Sequence, residues 1–231
     1  MSVLPKQPLI YEINTWVWLG ELSRRHKRPV TLAGVPPEEW EAIASMGFDT
    51  VWLMGVWRRS PAGMKLARSL QPLLEEYAKA LPDFTPDDIP GSPYCIRDYT
   101  VDERLGGPEG LRRARAALAR CGLGLILDFV PNHVAMDHDW VVERPEFLIQ
   151  GDAADLTRVP REFFRSGGRI FAFGRDPNYP PWTDVAQLNA FHPGLREAAA
   201  GALLGIAGQC DGVRCDMSIL LINRIFRKTW G

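Results

Sequence analysis

The chain has 231 residues, enough for one sizeable core or an incomplete larger one, and its 46% hydrophobic and 24% charged residues are the balance of an ordinary globular protein. Its formal net charge of -1 gives no surplus to recruit nucleic acid or an anionic membrane, and the short basic run Arg24, Arg25, Lys27, Arg28 reads as a solvated loop. No stretch approaches the ~20 apolar residues of a membrane span, and no signal-like segment opens the chain, so a cytoplasmic location is expected.

Residues 9–19, LIYEINTWVWL, are rich in β-branched and aromatic types and read as a buried strand. PPEEWEAIASMG follows as a short helix, with Pro36, Pro37 and acids at its start and Gly47 after its end. FDTVWLMGVW is a near-continuous apolar strand, the pattern of a parallel sheet covered on both faces. Residues 58–105 are irregular apart from one helix-like stretch, MKLARSLQPLLEEYAKAL, interrupted by Pro72. GGPEGLRRARAALARCG is a helix opened by Pro108 and Glu109 and stopped by Gly122, and GLILDFV is the third strand. Residues 131–188 form a second long excursion. FHPGLREAAAGALLGIAGQ is the next helix, DGVRCDM the fourth strand, and SILLINRIFRKTW opens a further helix.

Helix and strand alternate, which predicts a parallel α/β sheet with right-handed crossovers. Two architectures fit this order, an open doubly wound sheet and part of a (β/α)8 barrel. No G-x-G-x-x-G follows a strand, which removes the main support for a dinucleotide fold. The long excursions leave the C-terminal ends of strands, where barrel enzymes build their active sites. The four cysteines (Cys95, Cys121, Cys210 and Cys215) form no C-x-x-C pair and are expected reduced and packed as small hydrophobes. Eight tryptophans mostly serve packing, but flat aromatic faces also line sugar clefts.

Three clusters near strand ends carry the candidate chemistry: Asp128-Phe-Val-Pro-Asn132-His133, Arg214-Cys-Asp216, and the loop from Gly91 through Tyr94 to Asp98. Residues two apart in a strand share a face, so Arg214 and Asp216 point one way, and a guanidinium beside a carboxylate favours its ionised form. An ionised carboxylate in a fixed pose is what a glycosidic nucleophile requires, although R-x-D is a common tripeptide and taken alone favours a structural ion pair. Asp128 sits in an apolar run, where burial is costly without partners. His133 could reach a substrate hydroxyl and Tyr94 could stack on a sugar ring, yet a lone histidine at a strand end is more often structural and a loop tyrosine more often packs locally.

Taken in order, DFVPNH (Asp128 to His133) and GVRCD (Gly212 to Asp216) resemble the first two signature regions of the α-amylase family, glycoside hydrolase family 13. The loop GSPYCIRDYTVDERLGG, the opening strand YEINTWVWL and the run TDVAQLNAFHPGLREA resemble further segments of that family. The resemblance covers nearly the whole chain. It implies a partial (β/α)8 TIM barrel of strands 1–4, with residues 1–130 its first part, a domain-B-like insertion at 131–188, and barrel continuing through 189–231. It implies a retaining α-glycoside hydrolase, or a transglycosylase, acting on α-linked oligo- or polysaccharides. Asp216 matches the nucleophile, Arg214 the arginine that orients and ionises it, His133 a hydroxyl-binding histidine and Tyr94 the stacking aromatic. Asp128 looks like a supporting position. Asn132 matches a position that binds calcium in some members and only supports structure in others. No further calcium ligand is evident, so the metal is open.

The family's acid/base glutamate lies on the fifth strand, and no glutamate here matches it; Glu12, Glu143 and Glu146 stand elsewhere. A full barrel takes roughly 250 residues even without insertions. The expectation is a fragment, inactive alone, that pairs with a missing C-terminal half or with itself. The competing expectation is a non-catalytic sugar-binding or assembly half-domain. Gly91, three residues before Tyr94, stands where many exo-acting members carry an aspartate, which disfavours an exo-glucosidase.

Overall fold

The computed structural model describes residues 4–230. Among them the chain runs β1 (Ile10–Asn14), α1 (Thr15–His26), α2 (Pro37–Ser45), β2 (Thr50–Met54), β3 (Trp57–Arg59), α3 (Pro61–Ala67), α4 (Gln71–Ala80), β4 (Ile96–Val101), α5 (Gly107–Arg120) and β5 (Gly124–Phe129). It continues as β6 (His133–Ala135), α6 (Asp139–Glu143), α7 (Ala153–Arg158), β7 (Phe163–Ser166), β8 (Arg169–Gly174), β9 (Trp182–Gln187), α8 (Pro193–Ala207), β10 (Gly212–Cys215) and α9 (Asn223–Trp230). None of the described helices is long and apolar enough to cross a membrane. The chain divides into two units. Among the described residues, one holds 4–58, 99–129 and 200–215; the other holds 59–98, 130–199 and 216–230.

The first unit is built on a parallel sheet in the order β1-β2-β5-β10. The alternating strands and helices therefore form the α/β arrangement that the sequence predicts. β5 is buried at all six positions, and Val51, Leu53, Leu125 and Leu127 have no exposed surface, as the apolar strands require when both faces are covered. The edge strands differ. β10 is only half-buried, and Cys215 at its end is exposed, which corrects its reading as a packed small hydrophobe. An edge strand has a neighbour on one side only, so its last side chain meets solvent. All four cysteines are free thiols. The register of β10 is pinned at its start: Asp211 accepts from the backbone N–H of Leu125 at 2.9 Å and from Arg115 at 2.7 Å.

The opening strand is also shorter than its composition suggests. β1 ends at Asn14, whose side chain caps α1 by accepting from the Val17 N–H. The aromatic and β-branched residues after it are helical because Thr15, Leu19 and Leu22 fall at i, i+4 and i+7, and these are the buried positions of α1. Tertiary burial here overrides β propensity. Pro72 lies in the first turn of α4, so it starts a helix; the interruption falls at residues 68–70, between α3 and α4.

The second unit contains an antiparallel sheet in the order β6-β9-β8-β7. β7 and β8 are joined by Gly167 and Gly168, with φ of +53° and +76° between the paired residues Ser166 and Arg169. Both left-handed positions suit the tight two-residue hairpin turn that only glycine enters freely. Phe147, Phe164, Phe171, Phe173, Leu188 and Leu195 form its core, with Phe164 stacked on Phe173 at 4.9 Å. This core joins side chains of the 131–188 excursion to Leu195 of α8.

Candidate active site

Two groups of candidate residues emerge, one in each unit. In the first unit Asp128 and Arg214 stand opposite each other in the parallel register of β5 and β10. Neighbouring strands in register present side chains to the same face. Arg214 Nη1 lies 3.2 Å from Asp128 Oδ1, and the Trp52 indole N–H donates to Asp128 Oδ2 at 3.1 Å. The guanidinium also rests 4.8 Å over the Trp52 ring. A second indole, that of Trp57, donates to the Asp128 backbone carbonyl at 2.8 Å. The buried carboxylate therefore has the partners that its apolar setting demands, and Arg214 is held between a charge and an aromatic face.

Asp216 follows β10. The strand ends at Cys215 and Met217 adopts a left-handed conformation with φ of 50°, so Asp216 sits in the turn rather than on the pleat. Asp216 is only 5% exposed.

In the second unit Tyr94, His133 and Asp216 line one cleft of about 470 Å³, together with Trp182 and Asp184 of β9. His133 is buried and its ring packs edge-on against Trp182 at 5.2 Å. Burial pushes its pKa down to about 4, against the opposing pull of a hydrogen bond to the Tyr94 backbone. The ring is consequently neutral at neutral pH.

Asn132 stands behind His133 rather than in the cleft. Its side-chain nitrogen lies 3.3 Å from His133 Nδ1. The Gln187 amide nitrogen donates to the Asn132 side-chain oxygen at 3.1 Å, to the Asn132 carbonyl at 2.9 Å and to the Leu188 carbonyl at 3.2 Å. Three oxygens thus converge on an N–H donor. Calcium needs six to eight oxygen ligands, usually including carboxylates. Among the described residues there is no cluster of three His, Cys, Asp or Glu side chains able to hold a metal. The donor set around Asn132 does not fit calcium.

Trp182, Asp184 and Gln187 were not singled out in the sequence. Trp182 and Asp184 share a strand face through their two-residue spacing, but that signal appears only once 182–187 is known to be a strand. Gln187 is wholly buried, which no composition pattern shows.

A family model described as "Alpha amylase, catalytic domain" matches residues 31–170, more than half of the chain. The 1,4-alpha-glucan branching enzyme GlgB of Corynebacterium jeikeium is 28% identical over 183 residues, covering 72% of this chain and 25% of that protein. The enzyme of the same name from Cutibacterium acnes is 26% identical over 204 residues, covering 84% and 29%. The crystal structure of an alpha-amylase from Lactobacillus plantarum matches with a TM-score of 0.60 at 21% identity, over 95% of this chain and 40% of that one. The alpha-amylase from H. orenii matches with a TM-score of 0.58 at 19% identity, over 97% and 43%. The solved structures establish the likeness of fold, and the chain spans between a quarter and a third of the length of these two curated relatives. With the family match, the ordered motifs and the α/β architecture in agreement, the chain belongs to the α-amylase catalytic-domain family.

Proposed function

We propose that this chain supplies the nucleophile-bearing part of a retaining enzyme acting on α-glucans. The observation that carries the reading is the cleft of the second unit, where Asp216 is 5% exposed and shares the walls with Tyr94, His133 and Trp182. The carboxylate of Asp216 attacks the anomeric carbon, the glycosidic C–O bond breaks, and a covalent glycosyl-enzyme forms. Tyr94 offers an aromatic face to the sugar ring. His133, neutral because it is buried, binds hydroxyls without adding charge. Arg214 precedes Asp216 by two residues and is itself held by Asp128, so we assign it to orienting and ionising the nucleophile, and Asp128 to supporting it. Asn132 supports His133 through the Gln187 clamp.

The architecture we propose is a partial (β/α)8 barrel of four strands, with residues 131–188 as the inserted domain. Further strands, from a missing half or a second copy, would add at the edges β1 and β10. Acceptance by a glucan hydroxyl, rather than water, is favoured by the names of the curated relatives, which are branching enzymes. The free cysteines accord with a reducing, cytoplasmic setting.

Double displacement also requires a general acid about 5–5.5 Å from the nucleophile. No glutamate lines the cleft, so on natural glucans this chain alone should turn over slower by two to four orders of magnitude or more, about what a general acid contributes. A glycosyl fluoride needs no protonated leaving group and separates the two functions. Incubation with 5-fluoro-α-glucosyl fluoride should attach one glycosyl group at Asp216, with fluoride released, as read by intact and peptide mass spectrometry. Asp216→Asn should abolish the label. Sugar binding that survives Asp216→Asn, with no labelling of the unsubstituted chain, would instead establish the non-catalytic binding half-domain.

A further inference from the structure

Trp182 and Asp184 leave β9 on one face and both enter the cleft that holds Tyr94, His133 and Asp216. The backbone beneath Asp184 is fixed from two sides. Its carbonyl accepts from the Met136 N–H at 3.3 Å and from the Cys95 thiol at 3.1 Å. Cys95 is 1% exposed and sits in a slot beside Gly63, where a Cβ would come within 2.6 Å of the sulfur. The wall of that slot is tied in turn. Ser60 donates to Asp137 at 2.6 Å and accepts from the Gly63 N–H at 2.8 Å, while Asp137 also accepts from the Ala62 N–H at 3.1 Å. A half-buried carboxylate is thus mounted on a rigid floor beside an indole face, the arrangement that reads a pyranose by stacking on one side and by its hydroxyls on the other.

We propose that Asp184 is a specificity-determining residue of this cleft, accepting hydrogen bonds from two neighbouring hydroxyls of an α-linked glucose unit that packs on Trp182. The assignment rests on the α-glucan reading given above. Burial raises the Asp184 carboxyl above the ordinary aspartate range, opposed by bonds from its own backbone N–H and the Cys95 thiol. An ionised acceptor short of water is the group that gains most from sugar O–H donors, because bonds to a charged acceptor are roughly twice as strong as neutral ones. Asp184 thereby discriminates among sugars by their hydroxyls, Trp182 supplies the stacking surface common to them, and Asp216 performs the attack.

The test is calorimetric titration of the chain with methyl α-maltoside and its monodeoxy analogues, using the unsubstituted protein, Asp184→Asn and Trp182→Ala. Thermal melts come first. If Asp184→Asn does not fold, Asp184→Glu, which keeps the charge and shifts it by one methylene, carries the same comparison. Asp184→Asn should weaken the parent sugar about tenfold or more, and this loss should shrink to under about twofold for the analogue lacking a hydroxyl that Asp184 binds. Trp182→Ala should weaken all the sugars alike. Equal weakening of every analogue by Asp184→Asn would show a structural role and overturn the proposal. Unchanged binding in Asp184→Asn would overturn it while leaving the α-glucan cleft standing. Failure of the unsubstituted chain to bind any α-glucan would overturn the cleft reading and this assignment with it.

Discussion

Acid should destabilise the second unit as pH falls from about 6.5 toward 4, because two of its histidines are buried in their neutral form. Burial sets the His133 pKa at about 4. It also sets His138 at about 4, with the Arg97 guanidinium pushing the same way against Asp139, Asp98 and Asp137. An unfolded histidine titrates near 6.5. Above that value both states are neutral and stability is at its full level. As pH falls from 6.5 toward 4 the unfolded chain takes up protons that the folded chain refuses, so stability is lost across this window. One proton corresponds to about 1.4 kcal/mol per pH unit, so each histidine removes roughly 3 kcal/mol by pH 4. Two such losses rival the ~5–15 kcal/mol that holds an ordinary domain folded.

The assay is urea unfolding followed by tryptophan fluorescence at several pH values between 7 and 4.5. His138→Asn is the informative variant. His138 caps α6 by accepting from the Trp140 N–H at 3.1 Å, and asparagine supplies a cap acceptor that does not titrate. Its stability should fall with about half the slope of the unsubstituted chain below pH 6.5, although loss of the ring packed on Trp140 costs something at pH 7. His133→Asn should reduce the slope by a similar amount. An unchanged slope in both variants would refute the assignment of acid sensitivity to these two rings.

Asp128→Ala should destabilise the first unit by about 3 kcal/mol in the same unfolding assay, since it leaves the Trp52 indole without its acceptor and Arg214 without this partner. Asp128→Asn keeps the shape and should cost less, and the Trp52 emission should shift in both. EDTA should leave the unfolding midpoint of the chain unchanged, because the oxygens around Asn132 are already met by the Gln187 amide; a midpoint that falls and is restored by calcium would show a bound cation.

The parallel sheet was legible because β2 and β5 are central: their near-continuous apolar runs have one physical explanation, burial on both faces. The edges were less legible. β1 blends into α1 because Thr15, Trp16, Val17 and Trp18 favour strands locally, and only the helical spacing of the buried side chains decides otherwise. Residues 131–188 carried no clear strand period, since strands as short as β6 and β7 offer too few residues for alternation to register. In the site, Tyr94, His133 and Asp216 could be named from ordered motifs. Asp184 and Gln187 could not, because their surroundings come from residues such as Cys95 and Asn132 that are distant in sequence.

The Gln187 clamp has a consequence for what the position tolerates. A cation can be replaced by another cation, but an amide nitrogen that faces three oxygens admits no isosteric acid: glutamate would keep the outline of glutamine and turn a fourth oxygen toward the other three. Drift at this site is therefore confined by polarity rather than by size. The wall bearing His133 is held by a fastening indifferent to chelators and salt, yet a single change of one side-chain atom from nitrogen to oxygen would undo it.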